Sequence, residues 1–99
     1  MIKKRFFKTK DNVEVTFATS VPADVEGVSL LCDAFAWNPE PMKLVGKTWK
    51  ARVRLPIDRS YHFRYLASGD WWLNDEAADD YEPNEHGIVN SVVRTYRPQ

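Results

Sequence analysis

Ninety-nine residues with 43% hydrophobic content and thirteen aromatic rings supply enough apolar surface for one core, which excludes a disordered chain and points to a single domain. Fourteen Lys and Arg against fourteen Asp and Glu give zero formal net charge, so total charge does not attract a nucleic acid. One cysteine, Cys32, excludes an intrachain disulfide and a Cys-based zinc cluster, in keeping with a reducing compartment, and cytoplasm is the expected location.

The chain opens on Met1-Ile2-Lys3-Lys4-Arg5, basic residues with no apolar stretch behind them. No segment approaches the roughly 20 apolar residues of a membrane helix, so neither a secretory signal nor a membrane partner is expected. Further on, apolar residues recur at every second position, the period of an extended chain with one buried face. Val13, Val15 and Phe17 alternate with Glu14 and Thr16; Val28, Leu30 and Cys32 alternate with Ser29, Leu31 and Asp33. Trp49, Ala51, Val53 and Leu55 alternate with Lys50, Arg52 and Arg54 up to Pro56, whose missing N–H interrupts a ladder. Tyr61, Phe63 and Tyr65 alternate with His62 and Arg64, and a last strand runs near Val89 to Tyr96.

Turn chemistry separates these runs at Val21-Pro22-Ala23-Asp24, Asn38-Pro39-Glu40-Pro41, Val45-Gly46-Lys47, Pro56-Ile57-Asp58 and Ser68-Gly69-Asp70. Six or seven short antiparallel strands predict an all-β, immunoglobulin-like sandwich over residues 1–99. Asn74 to Gly87 reads as one long irregular stretch, with Asp75, Glu76, Asp79, Asp80, Glu82 and Glu85 as solvated carboxylates.

Tryptophan placement raises the functional question. Trp49 shares a face with Val53 and Leu55 and is predicted buried, whereas Trp37 falls where a strand gives way to a turn. Trp71 and Trp72 are adjacent, so an extended backbone points them to opposite faces and only one is expected inside. Exposed indoles are rigid platforms on which the C–H faces of pyranose rings pack. Arg64 can donate to hydroxyls, and the Asn90 carboxamide both donates and accepts.

The run from Val28 to Pro39 (VSLLCDAFAWNP), Met42-Lys43-Leu44, Trp49 to Pro56 (WKARVRLP), Phe63 to Asp75 (FRYLASGDWWLND) and Gly87 to Val93 (GIVNSVV) resembles the family 48 carbohydrate-binding modules. That family includes the isoamylase N-terminal domain and the glycogen-binding domain of the AMP-activated protein kinase β subunit. The resemblance spans about residues 13–93. It implies an early-set immunoglobulin-like sandwich that binds α-1,4-linked glucans such as glycogen, starch or maltooligosaccharides. Trp37 matches the first stacking tryptophan, Arg64 the basic position between two aromatics, Trp72 the second platform and Asn90 the hydrogen-bonding asparagine. Trp72 is preferred over Trp71 because Trp72-Leu73-Asn74-Asp75 keeps the family's spacing from tryptophan to aspartate. His86 stands where the kinase-subunit branch has an apolar residue before a glycine that threads against the glucan. Cys32-Asp33-Ala34-Phe35-Ala36-Trp37 replaces the commoner Gly-x-Phe-Asn-x-Trp pattern.

A glycosidase needs two carboxylates roughly 5 to 9.5 Å apart across a cleft, and the acidic residues here crowd one loop. His62, His86 and Cys32 lack metal-ligand spacing, and the acidic loop lacks the EF-hand pattern. The reading is a non-catalytic α-glucan-binding module without cofactor, with a glucan-metabolising enzyme as the candidate protein partner. The alternative is a protein-interaction or regulatory scaffold of the same fold without sugar affinity.

Overall fold

The computed structural model describes residues 1–98 as ten strands in two antiparallel sheets, an all-β sandwich forming one domain. The strands are β1 (Ile2–Phe6), β2 (Asn12–Thr19), β3 (Val28–Cys32), β4 (Glu40–Pro41), β5 (Lys43–Val45), β6 (Thr48–Pro56), β7 (Ser60–Ala67), β8 (Trp71–Leu73), β9 (Asp80–Pro83) and β10 (Val89–Arg94). One sheet runs β1-β2-β6-β5; the other runs β4-β3-β7-β10-β9, with β8 paired to β7. The four strands of the first sheet, and β3-β7-β10 in the second, follow the ABED and CFG orders of an immunoglobulin-type sandwich. In those terms β8 and β9 are additions to the connection before the last strand. Among the described residues no helix is long and apolar enough to cross a membrane.

The sheets pack through the alternating apolar rows. Val13, Val15, Phe17 and Leu55 of the first meet Val28, Leu30, Cys32, Phe63, Tyr65 and Val93 of the second. The Phe17 ring meets Phe63 edge-on at 4.9 Å between centroids, and Phe63 meets Tyr65 at 5.7 Å. Edge-to-face pairs of this kind add to the burial of the rings themselves. Burial also pushes the Cys32 thiol up to about 12, so it stays protonated and unreactive in the folded chain. At Met42 the chain crosses between sheets, its N–H donating to the Val28 carbonyl at 2.9 Å and its side chain buried.

Several expectations are corrected. Trp49 is half-buried: it lies at the end of β6 and lines a shallow recess with Val21, Val25 and Leu44. Trp71 and Trp72 are both 43% exposed. Their strand pairs only with the end of β7, so the sandwich does not cover either indole. The last strand ends at Arg94, and Tyr96 is exposed. The N-terminal strand was not among the predicted ones. Finally, the stretch after Asn74 contains β9, and Asp75 is not solvated but 2% exposed.

Asp75 is the centre of a buried polar knot. Its Oδ2 accepts the Tyr65 phenol proton at 2.6 Å and also meets the Met1 amine; its Oδ1 accepts the Ala77 N–H at 2.7 Å. Its own N–H donates to Ser91 Oγ at 2.9 Å, whose hydroxyl donates to Asn74 Oδ1 at 2.8 Å. The Tyr81 hydroxyl closes the loop on the Asp75 carbonyl at 2.6 Å. Burial, reinforced by the Asp75 carboxylate, pushes the Tyr65 phenol well above its ordinary value, so it remains a donor at every physiological pH.

Phe17→Ala is expected to cost about 3 to 5 kcal/mol and Trp49→Ala distinctly less, because the first ring is sealed in the core and the second is not. Urea titrations measure both, and an equal loss would contradict this core assignment. Tyr65→Phe is expected to cost about 1.5 to 3 kcal/mol by stranding the Asp75 carboxylate without its phenol donor; an unchanged midpoint would show that the knot contributes nothing.

Candidate functional site

On β7 the inward positions are Tyr61, Phe63 and Tyr65, so His62, Arg64 and Leu66 face outward. Register then lines up their neighbours: Leu31 of β3 stands opposite Arg64, and Trp72 of β8 opposite Leu66. Asn90 precedes Ser91, which pairs with the inward Phe63, so Asn90 falls on the same outer face. Strand alternation alone therefore places Leu31, Arg64, Trp72 and Asn90 side by side.

Trp37 arrives by a different route. A short 3-10 turn at Asp33–Phe35 ends in two consecutive left-handed residues, Ala36 (φ 58°) and Trp37 (φ 60°). A side chain in this region costs roughly 1 to 2 kcal/mol per residue. Hydrogen bonds hold the turn: Trp37 N–H donates to the Cys32 carbonyl at 2.8 Å and Asn38 N–H to the Phe35 carbonyl at 3.1 Å. Asp33 Oδ1 accepts the His62 backbone N–H at 3.1 Å, anchoring the turn on β7. Strain retained at one indole and fixed by its surroundings is the pattern of a functionally placed residue.

Together these elements enclose a shallow concavity of about 340 Å³ lined by Leu31, Trp37, Arg64, Trp72, Asn84, Glu85 and Asn90. The Arg64 guanidinium lies 4.8 Å from the Trp72 ring centroid, a cation–π contact that covers one face of the indole and steadies both groups. Arg64 Nε is buried without a hydrogen-bond partner, alone in this respect among the side-chain atoms of the described residues. Its burial draws the guanidinium below its ordinary pKa. Asn90 is 4% exposed and its Nδ2 faces His62 Nδ1 at 3.3 Å, so it forms the floor of the concavity. Trp37, at 37% exposure, and Trp72 form the open part.

Four of the five sequence-predicted site residues, Trp37, Arg64, Trp72 and Asn90, thus share one surface. His86 does not: it is exposed on the β9–β10 turn with its Nε2 3.5 Å from Glu85 Oε1, outside the concavity. Its neighbours Asn84 and Glu85 take that place. Asn84 Oδ1 accepts the His86 and Ile88 N–H groups at 2.8 and 3.0 Å, which folds the turn and brings Glu85 to the rim. Those two residues were missed because a turn register, invisible in strand alternation, decides which side chain of the loop reaches the sheet. The only advance signal was an Asn followed by Gly three positions later.

Two larger recesses, of about 490 and 460 Å³, lie elsewhere and contain no aromatic side chain. Volume therefore does not single out the candidate site; paired exposed indoles with convergent polar groups do. No family model matches the chain, and no curated protein matches it.

Ala36→Gly is expected to stabilise the protein by about 0.5 to 1 kcal/mol, since glycine adopts a left-handed φ without a Cβ clash. Thermal unfolding measures it. A destabilisation would mean that the Ala36 methyl contributes packing that outweighs the strain.

Proposed function

We propose that the concavity on the second sheet binds a segment of neutral α-1,4-linked glucan without cleaving it. The observation that carries this reading is the convergence of Trp37, Arg64, Trp72 and Asn90, drawn from four separate chain segments, on one exposed concave surface. The resemblance to the family 48 carbohydrate-binding modules supplies the ligand class, because these are the positions it assigns to glucan contact.

Physical chemistry supports the same ligand. Pyranose faces stack on the exposed parts of the Trp37 and Trp72 indoles, which lose little conformational freedom on binding. Arg64 donates to hydroxyls and Glu85 accepts from them. Cation and carboxylate line the same concavity, so their charges offset and favour an uncharged, hydroxyl-rich chain over a polyanion. A shallow surface buries little area, which places affinity in the micromolar to millimolar range. Catalysis is not part of the proposal: Asp75 is sealed in the core, Asp79 pairs with Lys4 and Asp80 with Arg94.

Calorimetric titration with maltoheptaose tests this. Binding is expected to exceed that of cellohexaose and to fall at least about ten-fold in Trp37→Ala and Trp72→Ala, while both variants stay folded. Affinity is expected to change little between about 50 and 200 mM salt, whereas a ligand held by 6 to 10 phosphates would lose on the order of 10³. No reducing ends are expected to accumulate. Absence of heat with any maltooligosaccharide, or undiminished affinity in both variants, would overturn the proposal.

A further inference from the structure

The zero net charge conceals a segregated distribution. The four strands of the first sheet contain a single carboxylate, Glu14. In β1, Lys4 pairs opposite the buried Val15, so Lys3 and Arg5 face outward; in β6, Lys50, Arg52 and Arg54 alternate with the inward Ala51 and Leu55. With Lys43 of β5, six cations occupy this outer face, all of them exposed. Glu14 stands between Arg5 and Arg54 in register and lies 3.7 Å from Arg52, one carboxylate among three of these cations, and Glu40 stands at the margin. Lys43 and Lys50 are directly opposite one another across the β5–β6 pair, an arrangement that costs stability and that the fold does not require.

A second observation bears on the partner. At the tip of the same β5–β6 hairpin, Val45 is 57% exposed on the basic face, and Leu44 is 55% exposed at the adjoining edge. Apolar side chains flanked by lysines suit an interface between water and lipid, where the aliphatic groups enter the headgroup region and the lysine stems extend to the charged plane. A protein partner would require an apolar centre, and here the centre is charged. A single-stranded nucleic acid would require free rings for stacking. The ring at this face, Phe7, is already flanked by Arg5, Lys10 and Arg54 at 4.7 to 5.7 Å.

We propose that the outer face of the first sheet adsorbs to an anionic bilayer surface, with the β5–β6 tip entering the headgroup layer. Such adsorption departs from the expectation of no membrane partner, which rested on the lack of an apolar spanning segment and took no account of how charge is distributed between the sheets. The candidate glucan site, on the outer face of the opposite sheet, would then point away from the lipid.

Sedimentation of the full chain with vesicles of phosphatidylcholine containing about 30% phosphatidylserine tests the proposal. Adsorption is expected at about 50 mM salt, loss at about 300 mM, and none to phosphatidylcholine alone. Each cation at such a surface strengthens adsorption about five-fold, so Lys3→Glu/Lys50→Glu is expected to weaken it by more than about 20-fold. Among the described residues neither lysine has an ion pair, and Lys50→Glu places a carboxylate opposite Lys43, so the variant is expected to melt no lower than the parent. Val45→Ser is expected to weaken adsorption about three-fold without changing its salt dependence. The proposal is overturned by no adsorption at low salt, by unchanged adsorption of the double variant, or by retention on duplex DNA or polyglutamate as strong as on the vesicles.

Discussion

Burial of Asp75 is the constraint on which the rest of the arrangement depends. A carboxylate inside a sandwich of this size is tolerable only if its oxygens are occupied. The Tyr65 phenol, the Met1 amine and the Ala77 N–H occupy them, while Ser91, Asn74 and Tyr81 satisfy the surrounding backbone and side chains. Tyr65 belongs to β7 and Ser91 to β10, so the knot fixes the added segment between those strands at both ends. Trp72 lies three residues before Asp75, and Glu85 is on the turn after β9. Both groups are held over the sheet because the chain between them is tied into the core.

The concavity is built from two kinds of local order. Leu31, Arg64, Trp72 and Asn90 are placed by strand alternation and register, which follow from burying the opposite face. Trp37 is placed by a left-handed turn that local preferences oppose, held by backbone hydrogen bonds and by Asp33. The first kind is inexpensive and rigid. The second carries strain, and its persistence at the one indole that alternation could not deliver is the strongest local sign that the position of Trp37 matters. The contact of Arg64 with Trp72 works in the same direction, steadying an indole that the sheets do not cover.

Much of this was legible in the sequence. Alternation identified β2, β3, β6, β7 and β10, and through them the sandwich, because one buried face imposes a period of two. The first strand escaped because Lys4 occupies an inward-facing register position and reaches Asp79 at 2.6 Å, breaking the apolar alternation of Ile2 and Phe6. Trp49 is less buried than its face implies, since alternation gives the face of a residue but not its distance from the end of the sheet. The exposure of both Trp71 and Trp72 depends on β8 having a neighbour on one side only, a fact of topology. Composition groups Asp75 with solvated carboxylates; nothing local announces that Tyr65 and Ser91 will meet it. Likewise, total charge could not reveal that cations gather on one sheet.

Residue-resolved amide shifts during a maltoheptaose titration test the central claim most directly. Shifts concentrated on Trp37, Arg64, Trp72, Glu85 and Asn90, including the Trp37 and Trp72 indole N–H signals, with the first sheet silent, are the expected result. A spectrum unchanged at saturating maltoheptaose, or shifts gathered on β1, β2, β5 and β6, would contradict it.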